Sequence, residues 1–376
     1  MASHPPLDVD YRDFSFDGLS KVTHDNRSVS GYGIAMLQKK TVWVLQGARV
    51  GDNAQAMELA LMMGGELKTF GLKFNALHHF PNVALGASVA SLTKRSRSEL
   101  RAPWPDMVIG TGKRMAPIAR WIKNKSGGHT KIIHLGRPRA RLSAFDLVIA
   151  TRQYGLPSDS NVITLDLPFA SSHKVDAVEL EKWRELWHDL PKPLIGVAIG
   201  GAKYPLRFGY AEISAFATAL NDLALQAAGS LLLIASPRTK PLLVDRIATM
   251  LTVPHLNYGN FDKTNNPYRA ALSLCDRFVV TSDSVSMIGD LINCGKPVEV
   301  FKLPVAKLWV RWSARKGLAA WFSRNGYLQP PRDVSLLVRQ LIDDGSIGVL
   351  GAGFQPKPYK PVHDEAIARL KELLNS

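Results

Sequence analysis

The sequence predicts an α/β protein with two parallel sheets that follow one another along the chain, each with helices on both faces. Short apolar segments alternate with helical ones over most of the chain, which is typical of parallel sheets. Prolines interrupt this alternation at residues 190–193, and a second series of apolar segments begins directly afterwards. The chain has 376 residues, 46% of them hydrophobic, which is enough for two cores. We therefore expect two doubly wound, Rossmann-like domains whose strands end at a shared cleft.

The first domain is predicted to cover residues 39–190. Short apolar runs predict its strands, at 41–45, 106–110, 131–135 and 145–150. The first of these strands leads into a Gly-bearing loop at 46–53, and the helix after the loop ends at residue 63. The preceding residues, 1–38, are polar and weakly periodic, which predicts a partly disordered extension.

The second domain is predicted to cover residues 191–356. Five apolar runs predict its strands, at 194–199, 230–235, 255–258, 277–281 and 297–301. A final segment, 357–376, contains an amphipathic helix predicted at 364–374. We expect this helix to cross back to the first domain.

Two stretches of the sequence carry much of an excess of positive charge. Lys and Arg number 47 against 32 Asp and Glu, which gives a net charge of +15. Residues 94–141 hold 13 basic and 2 acidic residues, and residues 301–332 hold 7 basic and no acidic ones. Such localised charge indicates an anionic membrane surface, a phosphorylated glycolipid or nucleic acid as partner; the alternative is a basic surface that only keeps the protein soluble. We expect no nucleic-acid partner, because neither stretch matches a recognisable motif with interleaved aromatic residues.

The cysteine content and the hydropathy pattern constrain the setting of the protein. Cys275 and Cys294 are the two cysteines, and both lie in apolar or helical surroundings, so neither a disulfide framework nor a zinc site is expected. The sequence has no uncharged apolar run of about 18 residues, and residues 1–12 lack the apolar core of a signal peptide. We expect a cytoplasmic protein, peripheral at the inner face of the membrane, that binds no metal.

Three strand-end loops of the second domain carry residues suited to phosphate binding. Glycines let backbone N–H groups approach a phosphate, and basic side chains add positive charge. Because the carboxyl ends of parallel strands lie at one edge of a sheet, we expect these loops to converge. We also expect Thr239 to cap a helix. The candidate ligand-binding residues are Gly200, Gly201, Lys203, Ser236, Arg238, Thr239, Asp283, Ser284, Ser286 and Asp290.

The segment 281–297 has the pattern of a strand end, a polar turn, a helix and the next strand. Its turn residues are predicted to cap the helix and leave backbone N–H groups for a phosphate; they are Asp283, Ser284 and Ser286. Asp290 lies further into the helix, where a carboxylate can bond a pair of ribose hydroxyls, and Gly295 ends the helix. The segment is similar to donor domains of GT-B glycosyltransferases, in which an acidic residue, usually Glu, stands five positions before Gly-x-Pro. The alternative is an ordinary Ser-rich turn.

Asp52 is the candidate catalytic residue of the first domain. The loop that contains it lacks Gly-x-Gly-x-x-Gly spacing, which argues against a dinucleotide cofactor. At the cleft, Asp52 could act as a general base toward an acceptor hydroxyl, with Asn53 and Gln55 beside it. On the sequence alone we slightly favour the alternative, in which Asp52 is only the N-cap of the following helix and Gln55 completes a capping box.

Together these motifs resemble one family, which includes bacterial lipooligosaccharide outer-core enzymes and the elongated-mitochondria fission proteins. The resemblance covers residues 41–330 and implies a GT-B fold with a nucleotide-activated sugar donor. It also implies a more distant similarity to the N-acetylglucosaminyl transferase of peptidoglycan lipid synthesis, with Asp290 in the place of a ribose-binding Glu. The matching segments are 51–55, 136–139, 145–149, 161–162, 199–201, 236–239, 266–268, 283–287 and 295–297.

The sequence departs from the family pattern after the strand at 145–150. The resemblance leads us to expect an acidic-His-Asp cluster there, whereas residues 151–154 read Thr-Arg-Gln-Tyr. We assign Arg152 to the acceptor side of the cleft. His173 could compensate, although a lone loop histidine is more often an ordinary surface residue. If the missing cluster contacts the acceptor or catalyses, this protein uses a different acceptor or is impaired.

Residues 307–322 have the pattern of an interfacial helix. Four of them are assigned to membrane contact because basic residues recur at helical spacing beside aromatic ones: Lys307, Arg311, Trp312 and Arg315. An equally good alternative is a helix packed beside the donor site, with its basic side chains extended to solvent.

The motifs and the resemblance together predict an inverting, metal-independent glycosyltransferase without a cofactor. It would move a sugar from a nucleotide-activated donor to a membrane glycolipid or cell-surface glycan. Two alternatives stay open. One is a nucleotide-sugar epimerase on the same fold, which needs neither a lipid acceptor nor a docking surface. The other is a non-catalytic, membrane-associated adaptor with a vestigial nucleotide-sugar site.

The basic stretches predict salt-sensitive binding to anionic vesicles. Exposed charges are screened beyond about 10 Å at 0.1 M salt, so the vesicle-bound fraction should fall steeply as salt is raised. Charge reversal at Lys307, Arg311 and Arg315 should lower it further. Vesicle sedimentation measures both effects. Sedimentation that does not respond to salt, or none with any lipid, would contradict membrane docking.

Overall fold

The computed structural model describes residues 40–169, 175–202, 204–260, 265–306, 317–327, 332–353, 357 and 364–375. All of them belong to one compact unit, Leu37–Ser376. The predicted extension at residues 1–38 lies outside the described residues.

Six parallel strands form the first sheet of the described chain. In chain order they are β1 (Thr41–Gln46), β2 (Glu66–Gly71), β3 (Met107–Thr111), β4 (Lys131–Leu135), β5 (Leu147–Thr151) and β6 (Val162–Leu165). Across the sheet their order is β2-β1-β3-β4-β5-β6, so the order reverses between β1 and β3, where Val44 lies opposite Ile109. A reversal of this kind leaves a crevice outside the carboxyl ends of the two strands.

Helices cover both faces of this sheet. They include α1 (Val50–Met63), α2 (Asn82–Leu85), α3 (Lys94–Glu99) and α4 (Ala116–Lys125). Leu59 of α1 packs on one face and Ile122 of α4 on the other. Val44 and Leu45 of β1 join these two cores in turn, because successive residues of a strand point to opposite faces.

The second sheet also has six parallel strands within the described residues. They are β7 (Leu194–Ile199), β8 (Ser230–Ala235), β9 (His255–Tyr258), β10 (Arg277–Thr281), β11 (Val298–Phe301) and β12 (Gly348–Val349). Their order is β12-β11-β10-β7-β8-β9, which reverses between β7 and β10.

Helices again pack on both faces of the second sheet. The helices that follow α4 are α5 (Ala177–Leu186), α6 (Tyr210–Ala227), α7 (Pro241–Ala248), α8 (Tyr268–Leu274), α9 (Val285–Asn293), α10 (Gly317–Arg324), α11 (Val334–Asp343) and α12 (Asp364–Asn375). Phe216 of α6 is buried on one face with Val197 of β7. Trp183 of α5 and Ile288 of α9 are buried on the other face with Ala198.

The predicted fold class is confirmed, since the described chain forms two parallel sheets with helices on both faces, as expected of a GT-B-like protein. The sequence missed β2, β6 and β12. β2 is an edge strand whose Glu66 and Lys68 are exposed, so it lacks the apolar run that marks a central strand. β6 and β12 have only four and two residues, which is too short for a periodic signal.

Two helices that follow β11 along the chain pack against the domain of the first sheet. Ala366 and Leu370 of α12 are fully buried in the core that contains Leu59 of α1. Arg324 at the end of α10 forms an ion pair with Asp159, with 2.7 Å between the Arg324 Nε and Asp159 Oδ1 atoms. Among the described helices, none combines the length and the hydropathy required to cross a membrane.

Candidate functional site

The carboxyl ends of β7 and β10 meet at the reversal of strand order in the second sheet. The Gly200 N–H donates a hydrogen bond of 2.8 Å to Thr281 Oγ1, and this hydroxyl donates one of 2.7 Å to Asp283 Oδ1. A Cβ at Gly200 would lie only 2.3 Å from the Asp283 carboxylate. The position of the Asp283 carboxylate therefore favours glycine at residue 200. The Gly200 N–H, which we expected to bind a phosphate, is hydrogen-bonded within the protein.

The loop after β8 packs on the loop after β7. A Cβ at Gly201 would lie 2.2 Å from the carbonyl oxygen of Arg238. Thr239 Oγ1 donates a hydrogen bond of 2.7 Å to the Ile199 carbonyl and accepts one of 3.0 Å from the Ser236 N–H. The prediction that Thr239 caps a helix is wrong, because α7 begins at Pro241 and Thr239 instead ties the two loops together.

The loop after β10 leads into α9, which begins at Val285. Ser284 occupies the N-cap position, but its side chain makes no capping hydrogen bond, and Ser286 is exposed in the first turn. The predicted capping by side chains is therefore wrong, because Asp283 bonds Thr281 instead. Burial raises the pKa of the Asp283 carboxyl, while Thr281 and Arg238 lower it. Gly295 ends the helix as predicted, with φ +69.

Asp290 lies in α9, half-buried beside α8. The Tyr268 hydroxyl donates a hydrogen bond of 3.2 Å to Asp290 Oδ2. Burial raises the pKa of Tyr268 well above its ordinary value, and the neighbouring Asp290 charge raises it further, so the phenol stays a donor. Asp290 thus has a partner that the sequence did not indicate, in addition to its predicted role toward ribose.

Asp52 is the third residue of α1, at the reversal of strand order in the first sheet. The helix begins at Val50 with Arg49 in the N-cap position, so the alternative that Asp52 is an N-cap with a Gln55 capping box is wrong. The Asp52 side chain is 34% exposed, and its Oδ2 atom lies 3.7 Å from Arg49 Nη1. Burial raises the pKa of Asp52 above its ordinary value, while the charges of Arg49, Arg332 and Arg238 lower it.

Asp52 interacts with charges from two distant parts of the chain. Arg238, which follows β8, acts electrostatically on Asp52 and also on Asp283. Arg332, which precedes α11, acts on Asp52 as well. The fold therefore brings together predicted site residues from both sheets.

Three other predicted cleft residues have different surroundings. The side-chain amide of Asn53 is bonded on both atoms to the Gly47 backbone, over 2.9 and 2.7 Å, so it shapes the loop instead of facing an acceptor. Gln55 is half-buried one turn along α1. Arg152 forms an ion pair of 2.9 Å with Asp166, whose same Oδ1 atom accepts a hydrogen bond from Gln340 of α11. Asp166 therefore connects Arg152 of the first domain with α11, and Arg152 is engaged in this ion pair.

Sequence reasoning missed Arg332 and Tyr154. The Arg332 guanidinium donates two hydrogen bonds to Gln153 Oε1, of 3.1 and 2.7 Å, and lies 4.8 Å from the centroid of the Tyr154 ring. The motif at residues 136–139 is the part of the sequence that relates to Tyr154, because the Tyr154 ring packs on Gly136. The sequence could not indicate Arg332, which lies far along the chain. The remaining candidates lie outside the described residues: Lys203, His173, Lys307, Arg311, Trp312 and Arg315.

Comparison with known sequences shows clear relatives. A family model described as mitochondrial fission ELM1 matches residues 50–324. The chain is 30% identical over 245 residues to the mitochondrial fission protein ELM1 of Arabidopsis thaliana, a match that covers 57% of this chain and 56% of that protein. The match therefore spans about half the length of the Arabidopsis relative. The chain is 24% identical over 299 residues to an uncharacterized protein of Rickettsia prowazekii (strain Madrid E), covering 70% of this chain and 83% of that protein.

Among solved structures the similarities are distant. The complex of Staphylococcus aureus MnaA with UDP aligns with a TM-score of 0.45 and 14% identity over 89% of this chain and 97% of that one. The ADP-heptose lipopolysaccharide heptosyltransferase II of Escherichia coli aligns with a TM-score of 0.44 and 10% identity, over 89% of this chain and 98% of that one.

The close packing at Gly201 predicts that Gly201→Ala destabilises the protein. The added methyl group would overlap the Arg238 carbonyl, and overpacking of this kind costs about 1–3 kcal/mol of the free energy of unfolding. Gly51→Ala is the control, because a Cβ at Gly51 meets no atom within 4 Å and Ala favours a helix. Urea unfolding measures both variants. Equal stability of the two would contradict the packing of these loops.

Proposed function

The chain belongs to the mitochondrial fission ELM1 family, and from this membership and the geometry of the cleft we propose that it is a glycosyltransferase. The donor is a nucleotide-activated sugar, and the acceptor is a membrane glycolipid or cell-surface glycan. The transfer inverts the anomeric centre and uses no metal cofactor. Docking of the basic stretches on anionic lipid would bring the protein to such an acceptor.

The half-buried Asp52 carboxyl, at the reversal of strand order in the first sheet, is the observation that carries this proposal. Burial raises the pKa of Asp52, while Arg49, Arg332 and Arg238 lower it, and a carboxyl with a perturbed pKa suits proton transfer. In the proposed step, Asp52 accepts the proton of the acceptor hydroxyl while the hydroxyl oxygen forms a bond to the anomeric carbon. The bond from that carbon to the donor phosphate oxygen breaks, and the nucleoside diphosphate leaves with the electron pair. Arg238 stabilises its developing negative charge.

One observation favours the non-catalytic adaptor as a second candidate. The Asp283 carboxylate covers the Gly200 backbone, and the Gly200 N–H is bonded to Thr281. A donor phosphate that approached this backbone would meet a carboxylate of like charge, which is unfavourable. The family name, which refers to fission, is consistent with a protein that binds partners without transferring a sugar.

We expect Asp52→Asn to separate the two candidates. Loss of a general base lowers kcat about 10²–10⁴-fold, whereas loss of a carboxylate from a first helical turn costs only about 0.3–1 kcal/mol of stability. The wild-type rate should rise as the pH rises through the pKa of Asp52, which burial raises above its ordinary value, because only the deprotonated carboxylate accepts a proton. The Asn variant should lack this rise.

Sugar transfer, donor binding and melting temperature should be measured on the same preparations. Glu179→Gln is the control, since Glu179 is an exposed acidic residue in the first turn of α5. Turnover of Asp52→Asn at the wild-type rate would show that the base lies elsewhere. A wild-type protein that binds no nucleotide sugar would support the adaptor.

We expect Asp290→Ala to weaken binding of the nucleotide sugar by about 1.5–3 kcal/mol, through loss of charge-assisted bonds to ribose. Tyr268→Phe is the control, because it removes the Tyr268 hydrogen bond but keeps the Asp290 carboxylate. Calorimetry should show a loss in the first variant and little change in the second. Equal losses would mean that Asp290 acts by positioning Tyr268, and an unchanged affinity of Asp290→Ala would remove it from the site.

A further inference from the structure

Four basic side chains gather at the carboxyl edge of the first sheet, on the side of the cleft that holds Asp52. We call them the basic cluster; they are Lys113, Arg137, Arg139 and Arg332. Lys113 follows β3, the two arginines at 137 and 139 follow β4, and Arg332 lies beside the turn after β5. The cluster joins residues from both basic stretches of the sequence, 94–141 and 301–332, which are far apart along the chain.

An aromatic ring holds two guanidinium groups of the cluster. The Arg332 guanidinium lies 4.8 Å and the Arg137 guanidinium 6.0 Å from the centroid of the Tyr154 ring. The Tyr154 ring itself rests on Gly136, since a Cβ there would lie 3.2 Å from the tyrosine Oη. Cation–π contacts of this kind hold the guanidinium groups in place, and the guanidinium group is the side chain best suited to recognise a phosphate.

A buried amide fixes the two loops that carry the rest of the cluster. Asn82 is 1% exposed, and its Nδ2 donates hydrogen bonds of 2.7 Å to the Lys113 carbonyl and of 2.7 Å to the Pro138 carbonyl. The Lys113 ammonium donates a further bond of 3.0 Å to the His79 carbonyl. The loops after β3 and β4 therefore keep one relative position, as a preorganised binding site requires.

The backbone of Arg139 is strained. Its φ is 52, in the left-handed region that residues other than glycine rarely adopt. Strain of this kind persists where the surroundings enforce it, and it is frequent in binding and catalytic loops. The bond from Asn82 to the preceding Pro138 is one such constraint.

Burial and the neighbouring positive charges lower the pKa values of two side chains in the basic cluster. Burial lowers the pKa of Arg137 to about 10, and the positive charges of Arg139 and Arg332 lower it as well. Burial also lowers the pKa of Lys113, and Arg139 and Arg114 add to that effect. An anion bound among these side chains would offset both the repulsion and the loss of solvation.

We propose that the basic cluster is a subsite for a phosphoryl group on the acceptor, which it holds beside Asp52. Lys113, Arg137 and Arg139 follow strands of the first sheet, whereas the predicted donor loops follow strands of the second, so we assign the anion of the cluster to the acceptor side. Arg332 links the two parts of the site, because it acts on both Asp52 and Arg137. This inference rests on the proposed function for the identity of the ligand as an acceptor.

Titration calorimetry with inorganic pyrophosphate, on the full chain, tests the subsite. Arg139→Gln should weaken pyrophosphate binding roughly tenfold to hundredfold, the effect of losing one charge-assisted bond. Arg238→Gln, on the donor loops where the proposed function places the donor diphosphate, should weaken pyrophosphate binding less than Arg139→Gln does. Arg95→Gln, an exposed arginine of α3 in the same basic stretch, should change nothing. Lys113→Gln is a second variant in case Arg139→Gln fails to fold, which circular dichroism would show.

Three outcomes would overturn the subsite. The first is a wild-type protein that does not bind pyrophosphate. The second is an equal loss in Arg95→Gln, which would mean that only net charge matters. The third is a larger loss in Arg238→Gln than in Arg139→Gln, which would place the anion at the donor loops.

Vesicles identify the source of the phosphoryl group. Tighter binding to phosphatidic acid than to phosphatidylglycerol at equal surface charge, lost in Arg139→Gln, would identify a lipid headgroup. Equal binding to both lipids, with the pyrophosphate result as expected, would show that the cluster does not select a lipid phosphomonoester and would indicate a phosphoryl group on the glycan part of the acceptor. Nucleotide-sugar binding separates this inference from the proposed function: pyrophosphate binding without nucleotide-sugar binding would support the subsite and contradict the transferase.

Discussion

The reversal of strand order within each parallel sheet is the constraint on which the site depends. At such a reversal the connections leave in opposite directions, and the loops after the two central strands enclose a crevice. In the first sheet this crevice lies between β1 and β3, where Asp52 contacts the loop that contains Gly112. In the second sheet it lies between β7 and β10, where Gly200 meets Asp283. The charge of Arg238, from the loop after β8, lowers the pKa of Asp52, and we take the two crevices to form one cleft.

Within that cleft, the glycines serve the packing of loops on one another. Gly200 makes room for the Asp283 carboxylate, and Gly201 makes room for the Arg238 carbonyl. The Thr239 hydroxyl then ties the loop after β8 to the end of β7. Rigid loops of this kind hold charged side chains in fixed positions, which is the condition for electrostatic stabilisation of a transition state. In the proposed transfer, the chemistry would therefore depend on side chains, above all Asp52 and Arg238, more than on backbone N–H groups.

The sequence predicts the buried parts of this molecule better than its edges and its contacts between domains. Central strands such as β7 and β10 consist of apolar residues buried on both faces, so their bounds follow from composition alone. β2 has exposed charged residues, and its strand character depends on pairing with β1. The sequence favours Asp52 as a helix N-cap because Gly51 and Asn53 are typical of loops. In the structure the helix already begins at Val50, so Asp52 lies in its first turn. The contact of Arg332 with Tyr154 follows from tertiary structure, which local patterns do not contain.

The central claim is that the cleft between the two sheets binds a nucleotide sugar. Hydrogen exchange of the full chain, with and without each member of a panel of nucleotide sugars, tests this most directly. With at least one of them, we expect slower exchange in peptides that cover residues 200–202, 236–240 and 281–290. Peptides from α12 provide the internal reference, because this helix packs in the core of the first sheet. Exchange that is unchanged by every nucleotide sugar, or slowed only outside these loops, would contradict the account.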